Sequence, residues 1–213
     1  MASLDRRHRL RHGAFMVKLV FLCRRRADIS HERYSELLLS GHVPIALEHH
    51  PAMRRYVVNI VEQSPAGRQI VERDVAGFMG GADAYVTTEH VQRAPSAPPA
   101  AGARAPGVKL VCPVVRRNGM SHAEFVAHWL TRHVPLALQH HPGMIKYVTN
   151  VVDRRLGDSG AELDGIAELH FPSAQALATA MFDSPDGERI IRDDIPRFIG
   201  RTAAYRVAEY PQR

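Results

Sequence analysis

The chain has 213 residues, 45% of them hydrophobic and 23% charged, with a formal net charge of +6 and a pI near 9.7. That length holds one large domain or two of about 100 residues each, and no apolar run approaches the ~20 residues that cross a bilayer. The positive charge is nearly all arginine, with lysine only at Lys18, Lys109 and Lys146. It lacks the basic face with interleaved aromatics that nucleic-acid binding needs, so we expect neither a nucleic-acid nor a membrane partner.

Residues 1–15 carry Arg6, Arg7, Arg9 and Arg11 and read as a flexible basic extension. The stretch has no apolar segment and no small-residue cleavage site, so we expect no secretory signal and a cytoplasmic location. Met16 opens the first folded unit, 16–90. Its organisation emerges beside the second unit, 108–210. HVPIALEHHPAMRRYVVN (42–59) matches HVPLALQHHPGMIKYVTN (133–150) at twelve of eighteen positions, with an offset of 91. SPAGRQIVERDVAGFMGGADAYVTTEH (64–90) matches SPDGERIIRDDIPRFIGRTAAYRVAEY (184–210) with an offset of 120. The offsets differ by 29 residues, so the first unit lacks the counterpart of roughly 154–182. Between the units, VQRAPSAPPAAGARAPG (91–107) is rich in Pro, Ala and Gly and reads as a linker.

The second unit gives its elements in order. VKLVCPVV (108–115) is an apolar, β-rich strand. Ser121 with Glu124 forms a capping box and starts a helix. Phe125, Trp129 and His133 follow at helical spacing and share one face. Pro135 should kink or interrupt that helix near Thr131, and Pro142-Gly143 ends it. MIKYVTNVV (144–152) and LDGIAELHF (163–171) are strands. Ser173 caps a helix over 174–182, Ser184-Pro185 starts another, and AAYRVAEY (203–210) is the last strand.

The order β-α-β-β-α-β is the ferredoxin-like unit. The fold class is therefore α+β, with two such repeats forming an α+β barrel. The first repeat lacks its third strand, which leaves a gap between its first and second strands. The sheet face away from the helices must be buried, since exposed apolar area costs roughly 25 cal/mol per Å². The repeats can do this within one chain or across a homodimer. Cys23 and Cys112 each fall in a strand without metal-binding spacing, and we expect two buried structural thiols.

The succession HWLTRHVPLAL, HHPGMIKYVTN, LDGIAELHF and SPDGERIIRDD, closing on a strand with Glu209, resembles the EthD domain family of the dimeric α+β barrel superfamily. The likeness covers nearly all of 108–210 and, shortened, 17–90. It implies the fold directly. Relatives in that superfamily include polyketide cyclases, isomerases, cofactor-independent monooxygenases and haem-binding enzymes, so it implies activity only broadly.

His133, with His42 as its counterpart, is the expected catalytic acid or base, because its ordinary pKa lies near 6.5. Trp129 and Phe125 are the expected pocket wall, and Tyr147 an orienting donor. His140 lies two turns beyond His133, about 10 Å away at 1.5 Å per residue, too far to share a metal with it. In the third strand Asp164, Glu168 and His170 share a polar face suited to a barrel interior or an interface, with Glu168 and His170 as an acid/base couple. No glycine-rich phosphate loop, nucleophile elbow or HExxH pattern occurs. The expected function is a cofactor-independent, metal-free enzyme of cyclase, dehydratase, isomerase or lyase type acting on a small hydrophobic or aromatic, polyketide-like substrate. A monooxygenase of the same fold, cofactor-free or haem-linked, and a non-catalytic binding protein are the alternatives.

Overall fold

The computed structural model describes residues 18–63, 79–97, 99–157 and 161–213. The basic extension and most of the match between 64–90 and 184–210 (residues 64–78) lie outside the described residues.

The elements are β1 (Lys18–Arg25), α1 (His31–Glu36), α2 (Val43–His49), β2 (Val57–Gln63), β3 (Met79–Arg93), β4 (Val108–Arg116), α3 (His122–His128), α4 (Val134–His140), β5 (Lys146–Leu156), β6 (Gly165–Phe171), α5 (Ala174–Thr179), α6 (Pro185–Phe198), β7 (Ile199–Thr202) and β8 (Tyr205–Pro211). Side-chain caps start α1, α3, α5 and α6. Ser30 accepts from the Arg33 amide, and Ser121 and Glu124 form the reciprocal capping box. Ser173 and Ser184 do the same for α5 and α6.

Leu37–His42 joins α1 to α2, and Trp129–His133 joins α3 to α4, each as a π-helical turn. Pro44 and Pro135 sit at the start of the helix that follows. A proline ring collides with the carbonyl one turn back and supplies no N–H. The wider turn absorbs that misfit and interrupts the α-helix around Thr131, where the sequence placed a kink or interruption.

All strand pairs are antiparallel, and the sheet order is β1-β3-β5-β6-β4-β8-β2, with β7 added on β4. Thus β3 of the first half lies on β5 of the second, and β8 of the second lies on β2 of the first. The halves interlock within one chain. β1 and β2 stand at opposite ends of this order and do not pair among the described residues. The result is an α+β fold whose antiparallel sheet curls into a half-barrel.

On the outer face of the second half, α3, α4 and α6 close over Val114, Tyr147, Val151, Ala167 and Phe171. Phe125 stacks obliquely on Trp129, 5.3 Å between ring centres, and on Phe198 at 5.8 Å. A smaller core gathers Tyr34, Leu38, Val43, Val58 and Ile60 in the first half. Arg93, at the end of β3, donates to the carbonyls of Leu138 and Met144 at 2.9 and 2.6 Å. A cation there complements the negative end of α4.

Three sequence expectations change. β3 runs through Arg93 and so takes the first residues of the expected linker. The remainder is held to β8 by hydrogen bonds from the Gly102 and Ala105 amides to the Pro211 and Glu209 carbonyls. β7, four residues long, is too short to leave a periodic signal. Cys23 is exposed and Cys112 half-buried, because alternate residues of β1 face outward.

Gly165 makes the tight layer contact possible. A Cβ there would lie 2.1 Å from the Trp129 ring. Gly165→Ala should therefore destabilise the protein by about 1–3 kcal/mol through overpacking, read as a lower urea midpoint with an unchanged slope.

Candidate active site

Three groupings of polar side chains are candidates, and burial separates them. The first lines the concave face. Lys109 is buried, with its ammonium 2.6 Å from carboxylate oxygens of both Glu168 and Glu209. Lys18 reaches Glu168 at 2.9 Å and Glu89 at 2.6 Å, and Arg55 reaches Glu89 at 2.6 Å. Asn150 donates to Glu168 at 2.9 Å. Burial alone would raise the Glu168 pKa, but Lys109 and Lys18 reverse this and hold it well below the usual carboxylate range. Burial drops the His170 imidazole to about 3, helped by Lys109. Glu168, His170 and Glu209 bring potential ligand atoms within 4.8 Å of one another. The Lys109 ammonium, however, already stands between the two carboxylates as their counter-cation.

The second grouping ties α3, α4 and the π turn to α6. His133 Nδ1 and His128 Nε2 each lie 3.0 Å from one oxygen of buried Asp194. The His133 ring also packs on Phe198, 4.9 Å between centres. His140 Nδ1 is 3.0 Å from Asp183. His42 takes the corresponding place in the first half, half-buried at the end of its π turn. Trp129 Nε1 donates to the Tyr147 hydroxyl at 3.2 Å, and both residues are almost completely buried. Burial pushes the Tyr147 phenol up, despite that bond. Phe125, Trp129 and Tyr147 thus meet, as the sequence suggested, but they meet one another. His133 contacts Asp194 and Phe198 of helix α6.

The third grouping is open. A concavity of about 510 Å³ lies between α3 and the outer faces of β3 and β5. Ala123, Val126, Ala127, Leu130 and Val151 give it an apolar wall, with Thr88 and His90 at its side. A second concavity of about 560 Å³ adjoins it, edged by Arg116, Met120 and Asp164. His122 and Asp153 line both, so the two form one groove with these residues at its waist.

His122 opens α3 directly after its cap. Its Nδ1 lies 3.3 Å from Asp164 Oδ1, and its side chain is 42% exposed. Asp164 is buried just before β6, where it accepts from the Arg116 amide at 2.8 Å and pairs with the Arg116 guanidinium. A carboxylate only accepts, so the proton of a neutral His122 belongs on Nδ1. The Nε2 lone pair is then free to act as a base.

Of the residues named from sequence, Asp164 belongs to the groove, Glu168 and His170 to the concave face, and the others to the helix layer. Sequence reasoning missed His122. Its signal is a histidine immediately after a capping serine, but its carboxylate partner comes from a strand 42 residues away. Only the topology joins them.

Residues 117–202 match the EthD domain family. No curated protein matches the chain. Among solved structures, an anthrone oxidase-like protein is similar over 94% of both chains, with a TM-score of 0.56 and 12% identity. A protein of Lactobacillus acidophilus NCFM described as a candidate monooxygenase is similar over 91% of this chain and 96% of its own, with a TM-score of 0.48 and 9% identity. The first likeness establishes a shared α+β fold.

Lys109→Met removes the partner of two buried carboxylates and should cost about 3–5 kcal/mol at pH 7. The depressed Glu168 and Glu209 contribute stability above the ordinary glutamate value of about 4.3, and lose it as pH falls through their lower folded values. The gap between wild type and variant should therefore narrow below about pH 4.3, as measured by urea unfolding at several pH values.

Proposed function

We propose that the protein is a small-molecule enzyme that removes a proton from a flat, largely apolar aromatic substrate bound in the groove beside α3. The observation that carries this is the position of the His122–Asp164 pair. An oriented imidazole, open on one side, stands at the waist of a concavity with an apolar wall. Such a pocket with a few convergent polar groups is the common form of a small-molecule site.

The division of labour follows from chemistry. Ala123, Val126, Ala127 and Leu130 exclude water from one face of the ring system. His122 Nε2 takes the proton. Asp164 keeps the imidazole in the correct tautomer and stabilises the imidazolium that forms. Arg116, paired to Asp164, lies beside the edge where negative charge develops. Substrates acidified by an adjacent carbonyl or phenol suit this arrangement.

The carbanion formed can rearrange, as in a cyclase or isomerase, or react with oxygen. The name of the anthrone oxidase-like neighbour favours oxygen. On anthrone the sum is anthrone plus O₂ giving anthraquinone plus water.

Two measurements on anthrone test the reading. Deuterium exchange at the acidic carbon under argon reports proton removal alone, and oxygen uptake in air reports the oxidation. Wild type should accelerate exchange over buffer, and His122→Ala should lose about 10²-fold or more of that acceleration. Exchange at the buffer rate across a panel of anthrones and phenols, or a fully active His122→Ala variant, would overturn it. Exchange without oxygen uptake would assign the rearrangement branch.

A further inference from the structure

On the concave face, away from the groove, we propose a second binding site that takes a small carboxylate between Lys146, His170 and Arg55. Lys146 and His170 are directly opposite each other in the β5–β6 ladder. Among the described residues His170 Nε2 is buried and has no hydrogen-bond partner; the Glu209 carboxylate lies 3.8 Å away. Asn150 Oδ1, on the same face, is also buried without a partner. Leaving such atoms unmet costs about 1–3 kcal/mol each, so the face is built for a polar occupant.

Charge decides which occupant. Four cations gather here: Lys18, Arg55, Lys109 and Lys146. Three carboxylates face them, and each is already engaged: Glu89 by Lys18 and Arg55, Glu168 by Lys18 and Lys109, Glu209 by Lys109. His170 is neutral because of its burial. Among the described residues one positive charge is left over. Lys146 makes no hydrogen bond or ion pair among the described residues, and burial lowers its pKa. A carboxylate would supply the missing charge. It would accept from Lys146 and from a His170 ring protonated on Nε2. Arg55, half-exposed, marks the entry side. A divalent metal on Glu168, His170 and Glu209 is disfavoured, since it would have to displace Lys109 amid three further cations.

The inference is independent of the proton-transfer reading, because no residue is shared. The test is calorimetric titration of the purified full chain with benzoate, salicylate and benzamide, together with NMR of the lysine ammonium groups. Benzoate or salicylate should bind at least tenfold more tightly than neutral benzamide. Lys146→Met should lose at least tenfold of that affinity, and His122→Ala none. Because Lys146→Met could perturb folding, Lys146→Arg serves as the second variant and should retain binding. Bound carboxylate should raise the Lys146 pKa, a change that a purely structural lysine would not show. Equal binding of benzamide, an unshifted Lys146, or zinc binding that depends on Glu168 and Glu209 would overturn the proposal.

Discussion

The Glu168 carboxylate cannot be buried alone, and the way it is neutralised organises the sheet around it. Its two oxygens meet Lys109 from the neighbouring strand and Lys18 from the first strand of the other half. An unpartnered charge in such a place costs several kcal/mol. The sheet must therefore curl until β1 comes within reach of β6, which is not its neighbour in the ladder. Glu89, held by Lys18 and by Arg55 ahead of β2, extends the same linkage to both free ends of the sheet. The half-barrel is thus tied across its hollow by ion pairs and along its wall by β3 on β5 and β8 on β2.

The two faces of the sheet divide the work. Outside, the second half is tightly packed, because Gly165 lets Trp129 settle onto β6 and Tyr147 lies beside it. Among the described residues, an open groove lies at the margin, where α3 overhangs β3. That margin exists because β3 arrives from the first half of the chain with Thr88 and His90 on its outer face. A second half standing alone would lack one wall of the groove. The interlocked halves therefore make the candidate site as well as the fold.

Much of this was legible in the sequence, and the limit has a physical cause. Local signals held wherever one segment determines its own structure: the Ser121–Glu124 cap, the Ser184-Pro185 helix start and the alternating face of β6. The two sequence offsets also align Lys18 with Lys109, Arg55 with Lys146 and Glu89 with Glu209, so the charged cluster was written in the repeat. What the sequence could not show was that these pairs converge on Glu168. That depends on which strands become neighbours. The same holds for the helix histidines. Their spacing placed them on one face, but not against the carboxylates of α6, which decide what they do.

Those histidines and His122 present the same chemistry in opposite settings. His128, His133 and His140 each reach a carboxylate of α6 or the segment leading into it, and their side chains are 16%, 11% and 9% exposed. Each pair ties the α3–α4 segment to α6 or the residues leading into it, and the rings of His128 and His133 pack on Phe198. A ring enclosed in this way holds neighbouring segments together through its carboxylate partner. His122 takes its carboxylate from the start of β6 and keeps its other side toward the groove. A histidine–aspartate pair is therefore a strut or a candidate base according to what lies beyond the second nitrogen, and His122 lines a groove with one apolar wall and one charged edge.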